Sequence, residues 1–354
     1  MARLWTLGIV LLVCILERSN AGEPCSDLKY CIHPSQCPET QQIIYRSIDT
    51  VFCNDFQVCC KIEEKEDEDK KPSKDYSQCG VSNSEGLGFL LQTSEEARPG
   101  EFPWTVAFFN KGQYFAAGSL LAPGIVLSAY HIMNEVNLED LRIRAGDWDL
   151  NSTRETFKPQ ERSVARIESH EDFRIRTGSS DLALYFLETP FELADHIRTI
   201  CLPESDTSFE GKECLMSGWG KKNFTDENFS TVLKVADLPL VNFTDCQSRL
   251  RTTQLGNTFH LPESLLCAGG EENEDACTGD GGSSLFCPMT EDPSRYVQVG
   301  IVNWGNGCGK KGIPGVYTDV LYFRDWIRQK MTSVPEVSPP TRSKSPQLMG
   351  NYRK

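Results

Sequence analysis

Cysteines constrain this chain more than any other residue type, because 15 of them occur in 354 residues. Cys14 lies in an apolar run from Leu4 to Leu16, which follows Arg3 and precedes the small residues Ser19-Asn20-Ala21. A short apolar run with these flanks is typical of a secretory signal peptide, which we place at residues 1–22. The other cysteines are then even in number, and an even number in an exported chain indicates disulfide bonds.

Two alternatives to this interpretation are weaker. A membrane anchor needs about 20 apolar residues, and the first run is shorter, with no other long apolar stretch downstream. A zinc site is suggested by adjacent Cys59 and Cys60 with His33 nearby. Zinc ligands are usually spaced two to four residues apart, however, and an export signal points to an oxidising compartment. We therefore expect a secreted protein with disulfides.

The cysteine spacing and the charge pattern divide the mature chain into four parts. Residues 23–60 hold six cysteines and are too few to bury a large core, so we expect a small module held by three disulfides. Residues 61–78 include the acidic run Glu63–Asp69 and almost no apolar residues, which predicts a linker. Residues 79–331 form the main domain, and residues 332–354, rich in Pro, Ser, Lys and Arg, predict a disordered tail.

The main domain has the pattern of an all-β fold. Short apolar stretches such as 104–109, 182–187 and 296–302 alternate with Gly, Pro and Asn turns. One helix is predicted near the end, from Tyr322 to Met331, where apolar side chains recur at helical spacing. The net charge of −14 argues against nucleic acid and against anionic membranes as partners. Four N-glycosylation sequons begin at Asn151, Asn223, Asn228 and Asn242.

Three segments contain the residue types of a hydrolytic triad, in which an imidazole activates a nucleophile and a carboxylate orients the imidazole. They are Leu127-Ser-Ala-Tyr-His131-Ile, Asp181-Leu-Ala-Leu and Asp275-Ala-Cys-Thr-Gly-Asp-Gly-Gly-Ser-Ser-Leu. Together with Ser-Gly-Trp219-Gly, Asn-Trp304-Gly and Pro314-Gly-Val-Tyr-Thr, they resemble the sequence blocks of trypsin-like serine proteases. The resemblance implies a chymotrypsin-like double six-stranded β-barrel with a C-terminal helix, in which His131 is the base and Asp181 the orienting carboxylate.

The nucleophile block departs from that family, whose pattern is Gly-Asp-Ser-Gly-Gly-Pro. Here the sequence is Gly279-Asp280-Gly-Gly-Ser-Ser, and Gly281 stands at the nucleophile position. The resemblance places the oxyanion hole at the amides of Gly279 and Gly281. Ser283 is an alternative nucleophile, but it stands six residues after Cys277, where the family has four. Removing such a serine costs on the order of a million-fold in turnover, so we expect no protease activity.

Two further departures agree with this expectation. Active relatives are cleaved after a basic residue, and the new amine inserts beside the aspartate that corresponds to Asp280. This chain has Leu90 before the expected new terminus at Leu91, with no Arg or Lys for a trypsin-like activator. The family disulfide beside the histidine is also absent, because Ile132 and Ala116 occupy its two positions. We expect its loss to loosen the loop that holds His131.

The substrate pocket retains several family residues. By the same resemblance, Asp275 is the carboxylate that pairs with Arg or Lys of a substrate, and Gly305 and Gly315 keep the pocket walls open. Asn303 stands where a serine is usual. Asp275 is either a relic satisfied by water or a neighbour, or a group that still binds a ligand, and the sequence leaves both open.

The six-cysteine module before a protease-like domain resembles the clip domain of arthropod immune and developmental proteases, and Cys79-Gly-Val-Ser-Asn-Ser-Glu-Gly-Leu-Gly-Phe is similar to a stretch in their inactive members. The resemblance implies a non-catalytic cofactor or regulator of an extracellular protease cascade such as prophenoloxidase activation and melanisation, with clip-domain proteases or prophenoloxidase-type zymogens as partners. It implies the disulfides Cys25–Cys59, Cys31–Cys53, Cys37–Cys60, Cys79–Cys201, Cys214–Cys287, Cys246–Cys267 and Cys277–Cys308. Candidate sites for cleavage by a partner protease are Arg46, Lys70, Lys71 and Lys74.

Other functions stay open at this point. An active trypsin-like endopeptidase is one, and a protein that binds microbial surfaces or matrix is another. No cofactor is required by the expected function, but some family members bind calcium in the loop after the histidine. Asp147 and Glu161 are candidates for such a structural calcium site.

Overall fold

The computed structural model describes residues 24–26, 29–32, 58–61, 74–87, 95–153, 155–204, 208–222, 225–272 and 275–332. The chain divides into two compact units, residues 1–74 and 75–354. In the first unit, strands β1 (Pro24–Ser26), β2 (Lys29–Ile32) and β3 (Val58–Lys61) form an antiparallel sheet in the order β1-β2-β3. The side chains of the six predicted clip cysteines lie outside the described part of the chain, so their pairing stays a prediction.

Two closed antiparallel barrels of six strands each form the second unit, which confirms the predicted chymotrypsin-like fold. The first barrel contains β4 (Thr105–Asn110), β5 (Gln113–Ala122), β6 (Ile125–Ser128), β7 (Leu141–Ala145), β8 (Gln160–Ser169) and β9 (Ala183–Leu187). The second contains β10 (Glu213–Gly218), β11 (Lys234–Val241), β12 (Leu265–Ala268), β13 (Ser284–Pro288), β14 (Tyr296–Trp304) and β15 (Gly315–Asp319). Strand order is β4-β5-β6-β9-β8-β7 in the first barrel and β10-β11-β12-β15-β14-β13 in the second.

Two α-helices accompany the barrels in the described residues. Helix α2 (Arg324–Thr332) has bounds that differ by at most two residues from those predicted for the C-terminal helix. It buries Ile327. Helix α1 (Phe243–Arg251) was not expected from the sequence. Its start is fixed by the Asn242 side chain, which accepts hydrogen bonds from Thr244 N and Asp245 N. This N-cap satisfies amides that otherwise lack partners. The sequence analysis interpreted Asn-Phe-Thr only as a glycosylation sequon and therefore did not predict the helix.

Hydrogen bonds and aromatic rings join the two barrels at a buried interface. Thr105 Oγ1 lies 2.7 Å from Ser217 Oγ, and Ser119 Oγ lies 2.6 Å from Gln298 Oε1. All four side chains are buried, so each of these bonds satisfies polar groups that water does not reach. Beside them the fully buried Trp104 meets Phe286 of the second barrel edge-to-face, with ring centroids 5.2 Å apart. The cleft between the barrels therefore has rigid walls.

Four disulfides lie in the second unit, and they have the pairing that the family resemblance implies. They are Cys79–Cys201, Cys214–Cys287, Cys246–Cys267 and Cys277–Cys308. Cys79–Cys201 joins the segment before the barrels to the chain that leads from one barrel to the other. Cys277–Cys308 braces the nucleophile block against the loop after β14.

The surface carries three of the predicted glycosylation sites in exposed positions, at Asn151, Asn228 and Asn242, while Asn223 lies outside the described residues. Glycosylation at all four stays a prediction. Among the described residues, no helix combines the length and the apolar character needed to cross a bilayer.

Replacing Trp104 by alanine should lower the free energy of unfolding by about 3–5 kcal/mol, because the indole is fully buried at the interface between the barrels. Denaturant unfolding of the intact chain measures this change. Ile175→Ala is the matched control, since that side chain is 66% exposed and its loss should cost little. Equal losses for the two variants would contradict the assigned interface.

Candidate functional site

The cleft between the barrels brings together His131 and Asp181, the two residues predicted to act as base and orienting carboxylate. His131 begins a short 3₁₀ turn after β6, and Asp181 precedes β9. Asp181 Oδ2 lies 2.6 Å from His131 Nδ1, and Oδ1 accepts hydrogen bonds from the amides of Tyr130 and His131 at 2.8 Å each. The Asp181 side chain is 1% exposed and the His131 side chain 29%. The carboxylate therefore fixes the imidazole with Nε2 free for the cleft.

Gly281 occupies the position that faces the imidazole. A Cβ built on Gly281 would lie 3.0 Å from His131 Nε2 and 3.6 Å from Ile132 Cγ2. A carbon at 3.0 Å is tighter than ordinary van der Waals contact, so a side chain at Gly281 would require the imidazole to shift by a few tenths of an ångström. His131 has no hydroxyl partner at this position, and the base has no nucleophile to activate there.

The turn that carries Gly281 requires glycines on both sides. Gly279 and Gly282 have φ angles of +96° and +81°, in the region that L side chains rarely adopt. A Cβ on Gly282 would lie 1.9 Å from Ser128 Oγ, and a Cβ on Gly279 would lie 2.6 Å from Phe229. The turn therefore packs directly against the first barrel and against Phe229.

The backbone of this turn presents the predicted oxyanion hole. The Thr278 carbonyl accepts a hydrogen bond from Lys221 N at 2.8 Å, and the Gly279 carbonyl accepts one from the Tyr114 hydroxyl at 2.8 Å. Because N–H and C=O point in opposite directions across a trans peptide, the Gly279 N–H points away from Lys221. Neither the Gly279 amide nor the Gly281 amide donates to any described residue, and both residues line the cleft cavity. Two free amides are thus available to an acceptor.

Asp280, the counterpart of the aspartate that pairs with the new amine in related proteases, is held by backbone amides among the described residues. Its carboxylate is completely buried and accepts hydrogen bonds from Gly220 N at 2.8 Å and Cys277 N at 3.0 Å. Burial raises the pKa of Asp280, and the Lys234 charge and these two amides oppose that rise. The predicted new terminus at Leu91, with Leu90 before it, lies outside the described residues.

Ser283, the alternative nucleophile, lies away from the imidazole. It is completely buried, and its amide donates to the Asp280 carbonyl. Its Oγ faces the second barrel, where a Cβ built on Gly218 would lie 2.8 Å from it. A buried hydroxyl in this position has no access to a substrate carbonyl.

The predicted substrate pocket is a cavity of about 310 Å³ with Asp275 at its floor. Asp275 Oδ2 accepts a hydrogen bond from Gly309 N at 3.2 Å, while its buried Oδ1 and the buried Tyr317 hydroxyl make no hydrogen bond with the described residues. Burial raises the pKa of Asp275 to about 7. A Cβ on Gly315 would lie 2.8 Å from Asp275 Oδ1, so only glycine leaves the floor accessible. Gly305 also lines the cavity.

Asn303, predicted as a pocket residue, is among the residues that line the cavity. Its side chain points into the joint between the barrels, where Nδ2 donates to Gly178 O at 2.7 Å and Thr318 Oγ1 at 3.0 Å. Thr318 Oγ1 in turn donates to the Asp181 carbonyl at 2.8 Å. Asn303 therefore connects the lining of the cavity, through Thr318, to the backbone of Asp181. Thr318 and Tyr114 were missed by sequence analysis, because their partners are 137 and 165 residues distant.

Apolar packing replaces the missing disulfide beside the imidazole. Ile132 is 8% exposed and Ala116 is 1% exposed, and both belong to the core of the first barrel. The Tyr185 hydroxyl also donates to the Ala129 carbonyl at 2.8 Å, close to the same loop. The loop thus has a hydrophobic anchor and a hydrogen bond in place of a covalent one.

The two residues predicted to bind calcium, Asp147 and Glu161, both pair with Arg144. Arg144 donates to Asp147 Oδ2 and to Glu161 Oε2, at 3.0 Å in each case. As arranged, these carboxylates do not fit a calcium ion, because the guanidinium occupies the space between them and supplies the opposing charge. No group of three metal-ligating side chains occurs among the described residues. Calcium binding stays a prediction, and it requires Arg144 to move away.

Comparisons with known proteins agree with this geometry. The profile of the family described as Trypsin matches residues 92–327. The chain is 42% identical over 279 residues to phenoloxidase-activating factor 2 of Galleria mellonella, covering 73% of this chain and 91% of that protein. It is 35% identical over 295 residues to the inactive CLIP domain-containing serine protease A8 of Anopheles gambiae, covering 80% of each. It is 38% identical over 256 residues to the inactive CLIP domain-containing serine protease A3 of Aedes aegypti, covering 71% of this chain and 53% of that protein.

The affinity of the pocket for a small cation such as benzamidine should rise as the pH increases through about 7. Asp275 has a raised pKa, so below this pH the carboxyl is protonated and must lose its proton before it pairs with the cation. Above it the carboxylate is already charged and the affinity should be constant. Titration calorimetry from pH 5.5 to 8.5 measures the profile.

Asp275→Asn should abolish the pH dependence together with most of the binding. His131→Gln should leave the midpoint of the profile unchanged, although His131 lines the same cavity. A pH-independent affinity in the unmodified protein would contradict the assignment of Asp275 as the pairing group.

Proposed function

Because this chain belongs to the trypsin family, and within it to the clip-domain serine protease homologues, we propose that it is a secreted, non-catalytic regulator of an extracellular immune protease cascade. Gly281 carries this proposal. His131 and Asp181 keep the geometry of a general base, yet the backbone that faces the imidazole has no side chain to attack a carbonyl. The names of several relatives, which describe them as inactive, support the same function.

The proposed partners are extracellular proteases and the zymogens on which they act, including prophenoloxidase-type zymogens. The name of the relative from Galleria mellonella, which describes a factor that activates phenoloxidase, supports this choice. An acidic chain with a net charge of −14 also favours partners with basic segments over nucleic acid or anionic membranes. Of the predicted cleavage sites for a partner protease, Arg46, Lys70 and Lys71 lie outside the described residues, and Lys74 is the last residue of the first unit.

In a reconstituted cascade, the purified chain should increase or decrease zymogen activation by an upstream trypsin-like protease while it hydrolyses no arginyl peptide itself. Substrate turnover and zymogen cleavage are measured in the same mixture, before and after the upstream protease has acted. Turnover that disappears in His131→Ala would instead identify an active endopeptidase. Binding only to microbial polysaccharide, with no effect on the cascade, would instead favour a protein that binds microbial surfaces.

Gly281→Ser alone should fail to restore trypsin-like turnover. The new Cβ would lie 3.0 Å from His131 Nε2, so the imidazole must shift, and a small misplacement of reacting groups costs about a hundredfold in rate. We expect kcat/KM for arginyl substrates to stay at least about a hundredfold below that of an active trypsin-like enzyme. The matched control is Gly124→Ser, because a Cβ at Gly124 meets only Pro190 at 3.9 Å. Turnover near that of an active enzyme would contradict the geometry described for His131.

A further inference from the structure

The disulfide Cys79–Cys201 lies at a cavity, remote from the cleft, that the proposed function does not use. The cavity has a volume of about 940 Å³, and both cysteines line it together with Arg295. We propose that Cys79–Cys201 is a site of thiol–disulfide exchange, at which a low-molecular-weight thiol reduces the bond and Arg295 stabilises the thiolate that leaves. This inference goes beyond the proposed function and does not depend on it.

The Arg295 guanidinium contacts both sulfur atoms of this disulfide. Its Nη2 lies 3.4 Å from Cys201 Sγ and 3.7 Å from Cys79 Sγ, and its Nε donates to the Cys79 carbonyl at 3.1 Å. Arg295 forms no ion pair with a carboxylate among the described residues. Its charge is therefore available to the sulfurs, and a cation beside a sulfur favours the thiolate over the thiol.

The two sulfurs differ in their accessibility. Cys79 is half-buried, whereas Cys201 is only 5% exposed. A cavity of this volume is in the range that accommodates small organic molecules. An incoming thiol should therefore reach Cys79, and the sulfur that leaves is then Cys201, which is the closer of the two to Arg295.

The exchange follows the usual chemistry of thiols and disulfides. The incoming thiolate forms a bond with Cys79 Sγ, and the Cys79–Cys201 bond breaks with its electron pair on Cys201 Sγ. A second thiolate attacks the external sulfur of the mixed disulfide and releases Cys79 as a thiolate. Two external thiols are thereby oxidised to one disulfide, and their two protons pass to the two cysteines or to the solvent.

The other three disulfides of the second unit lack this environment. No charged side chain forms a hydrogen bond with their sulfurs among the described residues. Cys214–Cys287 and Cys246–Cys267 are almost completely buried. Cys277–Cys308 is the closest match in accessibility, because Cys308 is half-buried and both of its cysteines line the cavity in the cleft. We therefore expect exchange to be selective for Cys79–Cys201.

Backbone hydrogen bonds hold the segment around Cys79 independently of the disulfide. The Gly80 amide donates to the Thr199 carbonyl at 2.7 Å, and the Tyr296 amide donates to the Gly80 carbonyl at 2.8 Å. These bonds keep the two cysteines close together after reduction, so the disulfide can form again. Exchange would thus remove a covalent link between the segment before the barrels and the chain between them, while the fold is retained.

The test exposes the full-length protein to reduced glutathione without oxygen at neutral pH. Samples taken over time are alkylated, and peptide mass spectrometry measures the labelled fraction of each cysteine. We expect Cys79 and Cys201 to be labelled about tenfold faster than Cys277 and Cys308, because a thiol with a lowered pKa is a better leaving group.

Substitutions at Arg295 test its electrostatic role. Arg295→Gln should slow the reduction of Cys79–Cys201 about tenfold, and Arg295→Lys should keep most of the rate because the charge remains. If Arg295 only held the segment in place, its loss would expose the disulfide and reduction would become faster. Arg328→Gln is the matched control, because Arg328 lines the same cavity but pairs with Glu204 at 3.2 Å, and it should leave the rate unchanged.

The results decide the proposal without reference to the cascade. Equal rates for Cys79–Cys201 and Cys277–Cys308, or faster reduction in Arg295→Gln, would overturn the exchange site and leave the proposed function untouched. Labelling of all cysteines of the second unit at one rate would indicate unfolding and would also overturn it. If Arg295→Gln fails to fold, the two rates in the unmodified protein still decide.

Discussion

The geometry of the cleft depends on Asp181, which the two barrels hold from opposite sides. Its carboxylate binds the amides of Tyr130 and His131 and the imidazole Nδ1, all from the first barrel. Its carbonyl accepts from Thr318, a residue of β15 in the second barrel. A buried carboxylate with this many donors is fixed in place, because releasing any of them would leave a polar group unpaired. The imidazole is therefore positioned whether or not a nucleophile faces it.

Local sequence patterns predicted much of this site. The segments around His131, Asp181 and Gly281 are short, and each could be identified from its own residues. The same segments carried the family resemblance that implied the fold, and the structure has the two six-stranded barrels expected from it. The disulfides of the second unit coincide with the pairing that the resemblance implied.

Contacts between residues that are far apart in the chain could not be predicted from the sequence. Asn303 lines the cavity, but the hydrogen bonds of its side chain to Gly178 and Thr318, which lie 125 and 15 residues away, were not predicted. Arg144 pairs with Glu161, and the sequence did not predict this contact because it depends on the pairing of β7 with β8. Helix α1 was missed because its signal is one capping side chain, which a β-rich pattern on both sides obscured.

A site that no longer catalyses is subject to different physical limits from an enzyme. An enzyme gains rate only from interactions that are stronger in the transition state than with substrate or product, and tight binding of product slows its release. Without a nucleophile that limit does not apply, and the buried charge of Asp275, the free amides and the oriented imidazole can all act on a stable ligand. A buried carboxylate such as Asp275 costs folding energy when it is charged and unpaired. A cation paired with the carboxylate would offset that cost, because it would supply the charge that the buried side chain lacks.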